Sequence, residues 1–235
     1  LQRFIDDDSV KAIIAARGGY GTIRIIDKVD FSRFATHPKW LVGFSDITVI
    51  HAHLFAGYGA QTIHGQMPVN IPDASKHSLD TLRKALFGEG FGYSFTSHHL
   101  NRNGNATGTL IGGNLSLLVA VLGSVSDCNY DGKILFIEDV GEYLYSIDRM
   151  LRTLDRAGKL RNLAGLMVGG FTELKDNDIP FGQTVPEIVM EVVKKYNYPV
   201  CFDFPAGHIP DNHSLVLGKA LNLSVKGEHV LATYC

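Results

Sequence analysis

Short apolar runs alternate with amphipathic stretches along most of the chain. Residues 11–16 form one apolar run that ends in a glycine-rich turn, and residues 40–44 form a second. The apolar spacing of residues 47–55, directly after the second run, is that of a helix packed on a sheet. Strands that alternate with helices are typical of a parallel sheet. The first part of the chain is therefore predicted to be an α/β domain.

The same alternation returns after a polar interval. Composition turns polar between residues 68 and 108, so we predict the domain linker there and divide the chain into residues 1–96 and 97–235. Beyond the linker the patterns predict a helix over 110–122, a strand over 133–137, a helix over 146–156, strands over 163–169 and 199–204 with a helix over 185–196 between them, and a terminal strand pair, 221–225 and 229–233. The second part is thus predicted to be another α/β domain.

Composition excludes several classes of partner. The chain has 235 residues, 45% of them hydrophobic, which is enough to bury a substantial core. Lys plus Arg (22) nearly balances Asp plus Glu (24), and no basic run occurs, so nucleic acid is a poor partner. No apolar stretch reaches the roughly 20 residues of a membrane-spanning helix. The three cysteines have no Cys-x-x-Cys spacing, which favours reduced thiols in a cytoplasmic protein.

One serine stands where a nucleophile is expected. Ser45 lies at the junction of the second predicted strand with its helix, the position of a nucleophile elbow. There the hydroxyl would be close to the first helical N–H groups, and the Asp46 N–H could stabilise an oxyanion. The full Gly-x-Ser-x-Gly pattern is not met, because Ile47 replaces the second glycine. The alternative is an ordinary helix N-cap.

The glycine-rich turn that follows the first strand is equally open to two interpretations. Its sequence is Arg17-Gly18-Gly19-Tyr20-Gly21. The glycines could bring backbone N–H groups up to a substrate oxyanion, or they could form only a tight turn. The segment lacks the Lys and Ser/Thr of a phosphate-binding P-loop and the full dinucleotide fingerprint. Neither a nucleotide nor any other cofactor is predicted.

A serine nucleophile needs a base and an acid that orients the base. His208 lies in a loop rich in glycine and proline after a predicted strand, where it is either a base or a solvated loop histidine. Glu138 and Asp139 follow an apolar strand directly, and Glu142 comes soon after. Any of these acids could orient a histidine or cap the strand end, and spacing does not separate them.

Histidine spacing gives no support to a metal-dependent mechanism. His51 and His53 stand two residues apart on a predicted helix and so point to different faces, whereas paired helical zinc ligands stand four apart. His64 and the pair His98-His99 have no Glu or Cys at ligand spacing. We therefore predict no metal site.

Seven collinear segments together resemble one family, and they extend over nearly the whole chain. The segments are Ala16-Arg17-Gly18-Gly19-Tyr20-Gly21, Gly43-Phe44-Ser45-Asp46-Ile47-Thr48, Ile63-His64-Gly65, Ile111-Gly112-Gly113-Asn114-Leu115, Leu135-Phe136-Ile137-Glu138-Asp139-Val140-Gly141-Glu142, Ile147-Asp148-Arg149-Met150-Leu151 and Gly207-His208. With these motifs the chain resembles the LD-carboxypeptidases, a family of serine peptidases that includes the microcin C self-immunity peptidases. Thr22 and residues 209–213 depart from the family's pattern.

The resemblance implies a catalytic triad of Ser45 as nucleophile, Glu138 as acid and His208 as base. It also implies a flavodoxin-like amino-terminal domain with a parallel sheet, joined to a carboxy-terminal β/α domain, with the active site at their interface. By the same resemblance the first strand and helix of the amino-terminal domain would lie upstream of Leu1, so that this domain is truncated at its start. A cytoplasmic homodimer is the implied assembly.

The activity that the resemblance implies is removal of the terminal D-alanine from an L-configured centre of a murein tetrapeptide during cell-wall recycling. Backbone N–H groups in the Gly18-Gly19 turn and of Asp46 would hold the oxyanion, and Arg17 or Arg149 would bind the substrate carboxylate. Three alternatives remain at this point: an immunity-type hydrolase of peptidyl or aminoacyl nucleotides, a catalytically silent muropeptide-binding protein, and a zinc peptidase.

Overall fold

Two β-sheets organise the computed structural model, which describes residues 1–235. The strands are β1 Ala12–Ile14, β2 Trp40–Gly43, β3 Thr62–His64, β4 Gly92–Thr96, β5 Gly104–Asn114, β6 Ile134–Val140, β7 Gly165–Thr172, β8 Val200–Cys201, β9 Leu215–Leu217, β10 Ala220–Lys226 and β11 His229–Tyr234. The helices are α1 Gln2–Asp6, α2 Thr22–Ile25, α3 Ser32–Thr36, α4 Thr48–Tyr58, α5 Lys76–Phe87, α6 Leu115–Ala120, α7 Leu144–Arg156 and α8 Val185–Val193, with short 3-10 helices at Ile26–Lys28, Ser45–Ile47 and Pro68–Asp73. None of these helices is long and apolar enough to cross a membrane.

The smaller sheet contains four strands in the order β1-β2-β3-β9. The first three are parallel, and β9 runs antiparallel to β3. Apolar side chains of β2, α3 and α4, among them Leu41, Phe34 and Leu54, form the core of this half. The parallel strands with intervening helices confirm the predicted α/β class.

The larger sheet has seven strands in the order β4-β11-β10-β5-β6-β7-β8. Strands β5 to β8 are parallel, while β4, β11, β10 and β5 form an antiparallel half. On one face the sheet packs against α6, α7 and α8 through residues such as Leu135, Ile147 and Ile188. Because both faces of the parallel strands are covered, their sequences are apolar throughout, as in Ile134–Ile137.

Two strands pair with the sheet on the other side of the predicted domain division. β4 precedes residue 97 but pairs with β11 in the larger sheet. β9 comes late in the chain but pairs with β3 in the smaller sheet, with His64 opposite Leu215. The chain therefore returns to the smaller sheet before it ends, and the division at residues 96 and 97 stays a prediction.

The helix predicted over 110–122 is wrong. Residues Gly104–Asn114 form the long strand β5, and only Leu115–Ala120 are helical. An apolar run that is buried on both faces of a central strand has no period by which to tell it from a buried helix. The close approach of β5 to β6 requires glycine at position 112, because a Cβ there would lie 1.9 Å from the Phe136 carbonyl oxygen. The strand predicted over 199–204 is also shorter, Val200–Cys201.

Candidate active site

Ser45 lies in a strained turn between β2 and α4. Its φ is +62°, in the left-handed region that non-glycine residues seldom occupy. Such a conformation costs on the order of 1–3 kcal/mol and is found preferentially at functional sites. Ile47 packs where a Cβ on Gly43 would lie, 2.9 Å from the Ile47 Cγ1 atom. The turn therefore has the strained backbone of a nucleophile elbow without its second glycine.

The glycine-rich turn after β1 lies directly against Ser45. A Cβ on Gly18 would lie 2.9 Å from the Ser45 Cβ and 3.0 Å from its Oγ, so a larger residue at 18 would displace the serine side chain. The backbone N–H groups of Gly18 and Gly19 donate no hydrogen bond within the chain. Arg17 is exposed beside them. The structure thus places Gly18 against Ser45, with Gly19 and Arg17 adjacent to it in the chain.

The Asp46 carboxylate links this turn to α2. Its Oδ2 atom accepts hydrogen bonds from the Thr22 backbone N–H at 2.9 Å and from the Thr22 hydroxyl at 2.7 Å. The Asp46 residue is only 6% exposed. Thr22, which departs from the family pattern, therefore fixes the end of the glycine-rich turn relative to Ser45.

Glu138 and His208 meet at the carboxyl end of β6. The His208 Nδ1 atom lies 2.6 Å from Glu138 Oε2, and the Glu138 side chain is completely buried. A carboxylate only accepts, so Nδ1 carries the proton and Nε2 keeps its lone pair when the ring is neutral. No hydrogen bond joins Ser45 Oγ to His208. The Phe44 ring contacts the His208 ring edge-on, with centroids 4.9 Å apart, which places His208 beside the Ser45 turn.

The pKa values of this pair move apart. Burial alone would raise the pKa of Glu138, but the hydrogen bond from His208 and the nearby His64 imidazole outweigh it and lower that pKa to about 2. Burial opposes a charge on His208, yet the hydrogen bond and charge of Glu138 raise the pKa of His208 above its ordinary value. The carboxylate is thus ready to stabilise an imidazolium.

The other two candidate acids contact different groups. The Asp139 carboxylate accepts hydrogen bonds from the Asn114 side-chain amide at 2.8 Å and from the Ser116 backbone N–H at 2.9 Å. It caps α6, and burial raises its pKa. Glu142 lies 3.4 Å from the Ser116 hydroxyl. Of the three candidate acids, only Glu138 is hydrogen-bonded to His208.

The loop that carries His208 is held from both sheets. The Gly207 N–H donates to Asn212 Oδ1 at 2.9 Å, and a Cβ on Gly207 would lie 2.8 Å from the Glu138 Cβ. From the amino-terminal half the Gln66 side-chain amide donates to the Pro210 carbonyl at 3.1 Å. A cleft of about 250 Å³ opens beside this loop, lined by Phe44, Gln66, Asn70, Asp73, Val140, Thr172, Glu173, His208, Ile209 and Pro210.

Two histidines of α4 have structural partners. The His51 Nε2–H donates to the Gly43 carbonyl at 2.9 Å, and burial lowers the pKa of His51 to about 3. The His53 Nδ1 atom lies 2.9 Å from the Ser126 hydroxyl. No group of three or more His, Cys, Asp or Glu side chains is arranged to hold a metal ion.

The sequence predicted no role at the site for one buried histidine, His64. His64, at the end of β3, is fully buried, and its Nε2 atom lies 3.9 Å from Glu138 Oε1. Its motif, Ile63-His64-Gly65, was visible as part of the family resemblance, but spacing gave no sign of a contact with a residue 74 positions later. The pairing of β3 in the smaller sheet brings it there.

Comparison with known sequences identifies the family. Residues 1–65 match the LD-carboxypeptidase N-terminal domain, and residues 107–223 match the LD-carboxypeptidase C-terminal domain. A probable murein peptide carboxypeptidase of Bacillus subtilis is 35% identical over 96% of this chain and 73% of its own length. The murein tetrapeptide carboxypeptidase of Pseudomonas aeruginosa is 29% identical over 93% of this chain and 74% of its own.

Solved structures agree with this assignment. The muramoyltetrapeptide carboxypeptidase of Oxalobacter formigenes superimposes with a TM-score of 0.90 at 30% identity, over 99% of this chain and 81% of its own. The microcin C7 self immunity protein MccF, in complex with aspartyl sulfamoyl adenosine, gives a TM-score of 0.85 at 19% identity over 99% of this chain and 78% of its own, a likeness of fold alone. The chain belongs to the LD-carboxypeptidase family and is a serine-type carboxypeptidase.

Proposed function

We propose that Ser45, Glu138 and His208 form the catalytic triad with which this protein releases the terminal D-alanine of a murein tetrapeptide. The observation that carries the proposal is the 2.6 Å contact between His208 and the fully buried Glu138, beside a serine in a strained strand-to-helix turn. The names of the sequence relatives and of the Oxalobacter structure support the substrate.

Acylation follows from the roles of the three side chains. His208 Nε2 takes the proton of the Ser45 hydroxyl while Oγ attacks the carbonyl carbon of the amide that links the L-centre to D-alanine. Glu138 stabilises the imidazolium that forms. The carbonyl oxygen becomes an oxyanion, for which the N–H groups of Gly18 or Gly19 and of Asp46 are the proposed donors. His208 then protonates the leaving nitrogen, and D-alanine departs.

Deacylation repeats the sequence with water. The acyl group is now an ester on Ser45, and His208, neutral again, takes a proton from an incoming water molecule. The resulting hydroxide attacks the ester carbonyl, and the proton returns to Ser45 Oγ as the shortened peptide leaves. Every step uses groups of this chain and water.

Two arginines, Arg17 and Arg149, are candidates to bind the terminal carboxylate of the substrate. Arg17 is exposed next to Gly18 and makes no hydrogen bond or ion pair within the chain. Arg149 donates to the Ser146 hydroxyl at 3.0 Å and lies over the Tyr145 ring. We infer that Arg17 binds the terminal carboxylate of the substrate. Arg17→Ala should raise KM for the tetrapeptide by about 10- to 100-fold, and Arg149→Ala, the matched control, should leave KM near that of the wild type; the reverse order would refute the assignment.

We place this activity in the cytoplasm and in a homodimer, as the family resemblance implies. The pairing is directly measurable by light scattering coupled to size-exclusion chromatography. A mass of one chain across the working concentration range would refute the dimer.

The deciding experiment follows D-alanine by mass spectrometry after incubating the wild type and Ser45→Ala with a murein tetrapeptide. Release by the wild type alone supports both the activity and the nucleophile. Equal release by both proteins refutes Ser45 as nucleophile. No release by either refutes the murein substrate.

A further inference from the structure

His64 is a buried polar side chain without a hydrogen bond. It is completely buried, and neither ring nitrogen has a partner. Its ring packs between Phe44 and Phe136, with centroids 5.7 Å and 5.2 Å away. Buried polar groups are almost always paired, because an unpaired one loses its hydration without compensation. The arrangement therefore indicates a partner close to the ring edge.

That partner is the free oxygen of the proposed catalytic acid. Glu138 Oε2 is bound to His208, but Glu138 Oε1 is buried without a hydrogen bond. The His64 Nε2 atom is 3.9 Å from it, with both side chains fully buried. An N–H···O bond spans about 2.9 Å, so a side-chain shift of about 1 Å closes the gap. One bond would satisfy His64 Nε2 and Glu138 Oε1, which leaves His64 Nδ1 as the one unpaired atom of the three.

We propose that His64 is a positioning residue that donates its Nε2–H to Glu138 Oε1 and so fixes the plane of the carboxylate that orients His208. The inference rests on the proposed triad. With a donor on each oxygen, the Glu138 side chain cannot rotate, and the Nδ1–H bond then aims the His208 ring. A carboxylate held at one oxygen only would sample orientations that turn His208 Nε2 away from the serine.

A neutral His64 suffices for this role. The titratable groups that face His64 are Glu138 on β6 and His51 on α4; those that face His208 are Glu138, Asp139 and Glu173. A neutral ring with its proton on Nε2 donates to the carboxylate without adding a charge that would compete with the His208 imidazolium.

Substitution of His64 tests the proposal through the split between kcat and KM. His64→Leu should lower kcat for D-alanine release by about 10- to 100-fold, the scale expected for an unpaired buried carboxylate oxygen, with little change in KM. His64→Gln, whose amide can donate from nearly the same point, should restore most of the rate. The matched control is Thr62→Val on the same strand, which removes an unpartnered buried hydroxyl two residues away and should leave kcat unchanged.

A double-mutant cycle separates positioning from packing. If His64 acts through Glu138, His64→Leu should change kcat less than about threefold in a Glu138→Gln background. Fully additive losses would overturn the proposal. So would equal losses in His64→Leu and His64→Gln, which would show that the imidazole serves only to fill space.

The hydrogen bond between His64 and Glu138 can also be tested without substrate. Such a measurement is independent of whether the protein releases D-alanine. Long-range ¹H–¹⁵N spectra of histidine-labelled protein at neutral pH should show His64 with its proton on Nε2. A proton on Nδ1 would overturn the hydrogen bond. The spectrum decides the pairing even if the wild type releases no D-alanine, a result that would refute the murein substrate alone.

Discussion

The two halves of the candidate site are built by different physical means. On the side of the smaller sheet, Ser45 is set by the backbone: a left-handed φ and a glycine packed against its side chain. On the side of the larger sheet, His208 is set by a short hydrogen bond to a buried carboxylate at the end of β6. Backbone geometry survives most side-chain changes, whereas an ion pair depends on two ionisable groups. The first half should therefore respond to changes in shape, and the second to changes in charge and pH.

Ser45→Gly should have the greatest effect on activity, and it tests whether the backbone at position 45 is strained. Removing the nucleophile should lower kcat by about 10⁶-fold, the scale known for serine hydrolases. Stability should rise by about 1 kcal/mol, because glycine adopts the left-handed conformation without strain. Urea unfolding followed by circular dichroism measures the second effect, with Ser45→Ala as the control that loses activity and keeps the strain. A less stable glycine variant would contradict the strain argument.

Glu138→Gln should have the next largest effect, because it removes the negative charge and replaces one acceptor oxygen with an N–H donor. Loss of the orienting carboxylate should lower kcat by about 10⁴-fold. In the wild type, kcat/KM should fall as pH drops through the pKa of His208, which Glu138 raises above its ordinary 6.5. Without the carboxylate, burial dominates and lowers the pKa of His208, so the acid limb should move to lower pH. An unmoved acid limb in the residual activity would show that His208 is not the titrating base.

Gly18→Ala changes the shape of the serine half of the site without changing its charge. The new methyl would meet the Ser45 side chain at 2.9 to 3.0 Å, so the serine must move by a few tenths of an ångström. A misplaced nucleophile of this kind should lower kcat by roughly 10²-fold. The acid limb of the pH profile should stay where it is in the wild type. Gly90→Ala, in a loop with no neighbour within 4 Å and no left-handed backbone, is a control for the extra methyl alone and should keep full activity.

The smallest expected effect concerns the link between α2 and the Ser45 turn. Asp46→Ala leaves the buried Thr22 N–H and hydroxyl without their acceptor and should reduce the free energy of unfolding by about 1–3 kcal/mol. Asp46→Asn keeps an acceptor oxygen and should lose less. Equal losses in both variants, measured by urea unfolding, would mean that the charge rather than the hydrogen bonds stabilises the turn.

Side-chain alternation along β6 explains why sequence spacing could not identify which acid contacts His208. Glu138 and Asp139 are neighbours in a strand, so their side chains point to opposite faces. One face meets the His208 loop and the other meets α6, as their hydrogen bonds show. Nothing in the local pattern says which face has which neighbour. The family resemblance pointed to Glu138, and the sheet order explains why this acid, rather than Asp139, contacts His208.

Apolar periodicity and turn residues act locally, so the sequence alone indicated the α/β class and the position of Ser45 at the end of β2. The family followed from the resemblance of seven sequence motifs. Apolar periodicity misassigned residues 110–114, where burial on both faces removes the period that identifies a strand. Three contacts have no trace in any local pattern: that of Gly18 with Ser45, that of Glu138 with His208 across 70 residues, and the approach of His64 to Glu138. Those contacts arise from strand order and from the return of β9 to the smaller sheet, and both depend on long-range packing.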